Sequence, residues 1–120
     1  MKKLFIILIL FSCFYFVEIS FNEELKLAEQ GDIDAQSTVG FMYYDGKGVK
    51  QDYLKAFEWF KKAVEQGDAY AQLFVANMYY SGEGVKLNKS KALYYYGLAC
   101  DNQLQKGCDE YARLKKEGIY

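Results

Sequence analysis

The chain has 120 residues and a formal net charge of −1, with no proline, no histidine, twelve tyrosines, nine phenylalanines and one tryptophan. This length suggests one domain at most. Lys and Arg form no block or stripe, which sets aside nucleic acid as a partner, and the lack of histidine removes the commonest metal ligand and the usual general base at neutral pH.

The first element in the chain reads as an export signal. Lys2 and Lys3 precede an apolar run from Leu4 to Val17 that only Ser12 interrupts. A charged start followed by about 7–15 apolar residues is the pattern of a secretory signal peptide. A membrane span needs about 20 apolar residues. Residues 1–20 are therefore assigned to a signal peptide and residues 21–120 to the folded domain, which makes the protein secreted or periplasmic. Cleavage after Ser20 places a small residue at the bond, although Glu18 fits poorly two places before it. Leu10-Phe11-Ser12-Cys13 loosely resembles a lipoprotein processing site, so a lipid anchor at Cys13 is a second reading and an uncleaved anchor a third. No other membrane contact is expected.

The remainder repeats with a period of 36 residues. Glu29-Gln30-Gly31-Asp32 recurs as Glu65-Gln66-Gly67-Asp68, Ala35-Gln36 as Ala71-Gln72, and Met42-Tyr43-Tyr44 as Met78-Tyr79-Tyr80. Gly46, Gly48, Val49 and Lys50 return as Gly82, Gly84, Val85 and Lys86, and Lys55-Ala56 as Lys91-Ala92. Units of about 28–63 and 64–99 share 17 of 36 positions without a gap. A partial third copy over 100–120 keeps Gly107, Ala112, Leu114 and Gly118 in register, and 22–30 reads as the last helix of an incomplete unit.

Each unit reads as two helices. In the first, Ala35, Val39, Met42 and Tyr43 fall on one face, and Ala71, Val75, Met78 and Tyr79 repeat it. Asp32 and Asp68 precede these helices as caps, and Asp52 and Asn88 precede the second helices. Gly31 and Gly67 stand where the previous helix must stop. In the second helices, Ala56, Trp59, Phe60 and Ala63 match Ala92, Tyr95, Tyr96 and Ala99 as the buried face. The pairs Gly46/Gly48 and Gly82/Gly84 mark the turn inside each unit. They are not a phosphate-cradling loop, since no strand precedes them and no Gly-Lys-Ser/Thr follows. The predicted architecture is all-α, a solenoid of antiparallel helix pairs with about five helices between residues 22 and 117. Such units complete their core only by stacking.

The order Ala-Gln, Met-Tyr-Tyr, Gly-x-Gly-Val, Asp or Asn, Lys-Ala, aromatic pair, Ala resembles the Sel-1-like repeat, a relative of the tetratricopeptide repeat, over about 28–118. The resemblance implies a superhelix that binds a protein or peptide on its inner surface. Cys100 and Cys108, at the junction of the second unit with the third, make this stretch similar to the secreted Helicobacter cysteine-rich proteins, in which a disulfide bridges neighbouring helices of each repeat. The chain departs from that pattern at its other junctions, which carry Ala28 with Gln36 and Val64 with Gln72. A disulfide between Cys100 and Cys108 is what the resemblance implies. A helix hairpin can bring two such side chains together, and closing the loop is worth about 2–3 kcal/mol in the chain-entropy model. It needs the oxidising compartment that export supplies. Two thiols without further ligands make a poor metal site, and the spacing is not Cys-x-x-Cys.

Catalytic, cofactor and metal residues are absent from this reading. Some cysteine-rich relatives are described as binding and slowly hydrolysing penicillins, so a β-lactamase-type activity is the alternative that the resemblance implies. The Ser-x-x-Lys, Ser-Asp-Asn and Lys-Thr-Gly motifs of serine β-lactamases do not occur. Tyr94-Tyr95-Tyr96 could stack on a ring-shaped ligand, but reads better as a helix seam with part of the run exposed. In repeats of this kind the first helix of each unit lines the concave side. With the core face removed, Ser37, Phe41 and Tyr44 remain in the first unit and Leu73, Asn77 and Tyr80 in the second, at i, i+4, i+7 spacing. They are the candidate peptide-binding surface. In the competing reading, Phe41 and Tyr44 pack against the neighbouring unit.

Overall fold

The computed structural model describes residues 20–120. Residues 1–19, which hold nearly all of the signal segment and Cys13, lie outside the described residues. The helices are α1 (described over 20–29), α2 (Ile33–Asp45), α3 (Tyr53–Glu65), α4 (Ala69–Ser81), α5 (Lys89–Asp101) and α6 (Gln105–Lys116). No strand occurs among the described residues. About five helices were expected between residues 22 and 117, and six are present among the described residues, because the units contribute α2 to α6 in addition to the helix that precedes them. The stretch 22–30, read as the remnant of an incomplete unit, is the sixth, α1.

Side-chain caps start four of these helices. Carboxylate or amide oxygens of Asp32, Asp52, Asp68 and Asn88 accept from the N–H of Ala35, Lys55, Ala71 and Lys91 at 2.8–3.0 Å. Each satisfies a backbone donor that the first turn leaves without an intrahelical partner. At the other end of α2 and α4, Gly46 and Gly82 take left-handed conformations with φ of 68° and 71°. The Gly82 N–H closes on the Met78 carbonyl at 2.8 Å. The chain then crosses over the helix end, and the N–H groups of Asp52 and Asn88 reach the Tyr43 and Tyr79 carbonyls at 2.9 and 2.8 Å.

Helices pack in sequence order, α2 on α3, α3 on α4, α4 on α5 and α5 on α6. The core is the repeated face. Ala35, Val39, Met42 and Tyr43 are buried, and so are Ala71, Val75, Met78 and Tyr79. In the second helices Ala56, Phe60, Ala63, Ala92, Tyr96 and Ala99 are buried as well. Trp59 and Tyr95, expected with them, are only half-buried at the edge of that cluster. Lysines cover their rings, Lys62 over Trp59 at 4.2 Å and Lys61 over Tyr95 at 5.3 Å.

The Ala-Gln pair has a structural task. Gln36 and Gln72 are buried polar side chains. Gln36 donates to the Ala28 carbonyl at 3.2 Å and accepts from Gln66 at 2.7 Å. One repeat later Gln72 accepts from Asn102 at 2.8 Å. A buried amide without partners would cost about 1–3 kcal/mol, so these bonds clamp the end of one helix to the start of an earlier one.

The last junction is built differently. Glu-Gln-Gly-Asp becomes Asp101-Asn102-Gln103-Leu104. Gln103 adopts a φ of 67° where the earlier junctions have Gly31 and Gly67. Leu104 stands at the cap position and makes no side-chain cap bond. Cys108 replaces the clamping glutamine and is disulfide-bonded to Cys100, with Cα atoms 4.5 Å apart. Gly107 permits this approach, because an added Cβ would lie 2.7 Å from the Ala99 Cβ.

Candidate functional site

The six candidate surface residues occupy α2 and α4, the first helices of their units, and most of them are bonded between helices. Only Phe41 is exposed, and its ring meets Phe74 edge-on at 5.6 Å. Tyr44 is half-buried and donates its hydroxyl to Glu83 at 2.6 Å. Asn77 accepts from the buried Tyr96 hydroxyl at 2.6 Å. The Tyr80 hydroxyl accepts from Arg113 at 3.5 Å, and its ring lies under that guanidinium at 5.0 Å. Leu73 packs against the core. Ser37 donates to Asp68 across the two units at 2.7 Å.

Ser37 also stands on the wall of a slot that sequence reasoning missed. This slot, about 300 Å³, lies between α2 and α4 above α3, and its lining joins Asp34, Thr38, Asp68 and Tyr70 to the rings of Phe60 and Phe74. The Phe60 and Phe74 rings are stacked, with centroids 4.9 Å apart. Gly40 leaves room for this stack, since a Cβ there would come within 2.8 Å of the Phe60 ring. Tyr70 is 64% exposed beside the slot. The signal for it was present in the repeat itself. Asp34 and Thr38 of the first copy are replaced in the second by Tyr70 and Phe74, so the positions at which the copies differ meet across one groove.

Charge divides the two sets of helices. Neither α2 nor α4 contains a Lys or Arg, and Asp32, Asp34, Asp45 and Asp68 stand in or next to them, while the turns that follow carry Lys47 after α2 and Glu83 after α4. The second-helix side carries a separate hollow of about 460 Å³, lined by Lys61, Lys91, Asn88, Ser90 and Tyr79, Tyr94 and Tyr95. There Lys61 donates to the Tyr95 hydroxyl at 2.9 Å, and that bond holds its ammonium above its ordinary pKa. Of the Tyr94-Tyr95-Tyr96 run, Tyr94 is exposed, Tyr95 half-buried and Tyr96 buried, as expected of a seam.

The sequence pattern of the Sel1 repeat matches residues 33–68 and 69–104, which frames the same period from the start of α2 and of α4. No curated protein matches the chain. Among solved structures, a protective antigen of uropathogenic Escherichia coli superposes with a TM-score of 0.83 at 28% identity, covering 85% of this chain and 22% of that one. A Sel1 repeat protein from Oxalobacter formigenes gives 0.81 at 28% identity, covering 86% of this chain and 43% of that one. Helicobacter pylori cysteine-rich protein B gives 0.70 at 28% identity, covering 74% and 67%. The chain thus spans less than half the length of the first two. Two tandem copies of the motif, folded as stacked helix pairs with capping residues and turn glycines in register, make this chain a member of the Sel1 repeat family.

Proposed function

We propose that the chain is an exported binding module that holds a protein or peptide partner along the face formed by α2 and α4. Repeats of this family mediate protein interactions, and the observation that carries the reading here is the pre-formed slot between α2 and α4 with exposed Phe41 and Tyr70 beside it. Aromatic side chains flanking a groove contribute large contact area at low entropic cost. Ser37 and Phe41 lie at the centre of this face. Tyr44, Leu73, Asn77 and Tyr80 extend it as fixed, half-buried edges.

Export is supported by the charged, apolar amino-terminal segment and by the Cys100–Cys108 disulfide, which persists in an oxidising compartment. Phe21 is buried and its ring meets Tyr43 edge-on at 5.4 Å.

Co-purification from the native envelope fraction tests the binding face. The wild-type chain is expected to retain a partner that the pair Phe41→Ala and Tyr70→Ala loses, with helical circular dichroism unchanged. Retention of the same partner by the folded double variant would refute the assignment of the face.

A further inference from the structure

We propose that the α2–α4 slot seats a lysine or arginine side chain of an extended peptide, with its apolar stem against the Phe74 ring and its charge between Asp34 and Asp68. The inference rests on the binding-module reading and names the chemistry of its partner.

Size comes first. About 300 Å³ is the lower end of small-molecule pockets, so the slot suits one side chain better than a compact ligand. Its surface is mostly apolar, supplied by Phe60, Ala71 and Phe74, with carboxylates from two helices among the lining groups. A long side chain that is apolar along its length and cationic at its tip matches that order of surfaces.

Charge complementarity sets the sign. The slot lining contains no Lys or Arg, and none occurs anywhere on α2 or α4. Asp68 already accepts from the Ala71 N–H and the Ser37 hydroxyl, one bond to each oxygen. A carboxylate offers about four acceptor positions, so it can receive a guanidinium or ammonium without giving up either bond. Those two bonds also fix its orientation before a partner arrives, which lowers the ordering cost of binding. Asp34 is exposed in the first turn of α2 and faces the same slot.

The repeat provides an internal contrast. One unit further on, Tyr70 replaces Asp34 and Leu104 replaces Asp68. The carboxylate pair therefore belongs to the α2–α4 groove alone among the described residues. Such a site reads one basic residue at a fixed place in a peptide, and does not attract positive charge along the whole face.

Selection of random peptides displayed on phage against the full chain tests this directly. Recovered peptides are expected to share a Lys or Arg flanked by apolar residues, and its replacement by Gln should weaken binding about tenfold, the usual scale of a charge-assisted hydrogen bond. Asp34→Asn with Asp68→Asn should cause a similar loss, with little further loss when protein and peptide changes are combined. Asparagine still caps a helix, and the peptide-side change does not touch the fold. Recovery of peptides without a shared basic residue, or binding indifferent to the two asparagines, would overturn the occupant while leaving the binding module intact. If no peptide is recovered, the binding-module reading falls and the occupant with it.

Discussion

Tyr44 and Tyr96 are held as neutral phenols by their surroundings. Burial raises Tyr44 above its ordinary pKa of 10.0, and the bond to Glu83 reinforces the shift. Burial likewise pushes Tyr96 up to about 12. A phenol with a raised folded-state pKa favours the folded protein while it stays protonated. The contribution is intact below pH 10, the unfolded value, and is lost as pH rises through about 12. Urea midpoints measured above pH 10 should therefore fall, and Tyr44→Phe should flatten the decline; a pH-independent midpoint would contradict the assignment. At the intra-unit turns, Gly82→Ala is expected to cost about 1 kcal/mol through its left-handed backbone. Gly84→Ala should cost more, because a Cβ there collides with the Tyr53 carbonyl. These turns were legible in the sequence, since glycines recurred at two positions of the period with no strand before them and no Gly-Lys-Ser/Thr after them. The partners of Tyr44 and Tyr96 were not, because Glu83 and Asn77 lie 39 and 19 residues away in the chain.

At the scale of elements, α6 is the helix whose anchoring differs. A non-glycine residue at φ 67° and a missing cap each cost about 1 kcal/mol. The disulfide, worth about 2–3 kcal/mol, offsets both. Reduction should then release α6 first. Hydrogen exchange is expected to show its amides losing protection while α2 to α5 keep theirs, and uniform loss across the helices would contradict this. Gln103→Gly should recover about 0.5–1 kcal/mol in the reduced protein. The cysteine pair was legible from its spacing and resemblance. The looseness of the last helix that such a link offsets was legible as well; its local cause, the lost glycine and cap aspartate at the junction, was not, because the third copy aligns on what it retains, Gly107 and Leu114. Ala112 illustrates the same limit: aligned with buried Ala76, it is exposed, since no further described helix covers α6.

For the whole molecule, the period of 36 carried the fold. Caps, turn glycines and apolar faces agreed twice over, and local agreement of that kind specifies a single architecture. The face that binds was only partly legible. Ser37 and Phe41 were found by removing the core positions, but the slot depends on Phe60 rising between two helices to stack on Phe74, a contact that helical spacing does not reveal. The serine chemistry needed for a β-lactamase-type activity finds no support at two hydroxyls already bonded, Ser37 to Asp68 and Ser90 to the Tyr120 carbonyl. A chromogenic β-lactam incubated with the full chain is therefore expected to remain intact, and colour release above the buffer rate would contradict that. The central claim is that a partner engages α2 and α4 rather than the lysine-rich second helices. A photocrosslinking amino acid placed at Tyr70 or at Tyr94, which are 64% and 61% exposed on the two sides, tests it at matched accessibility in the native host. The account predicts a discrete adduct from position 70 and none from 94; an adduct from 94 alone would place the binding face on the opposite side and contradict it.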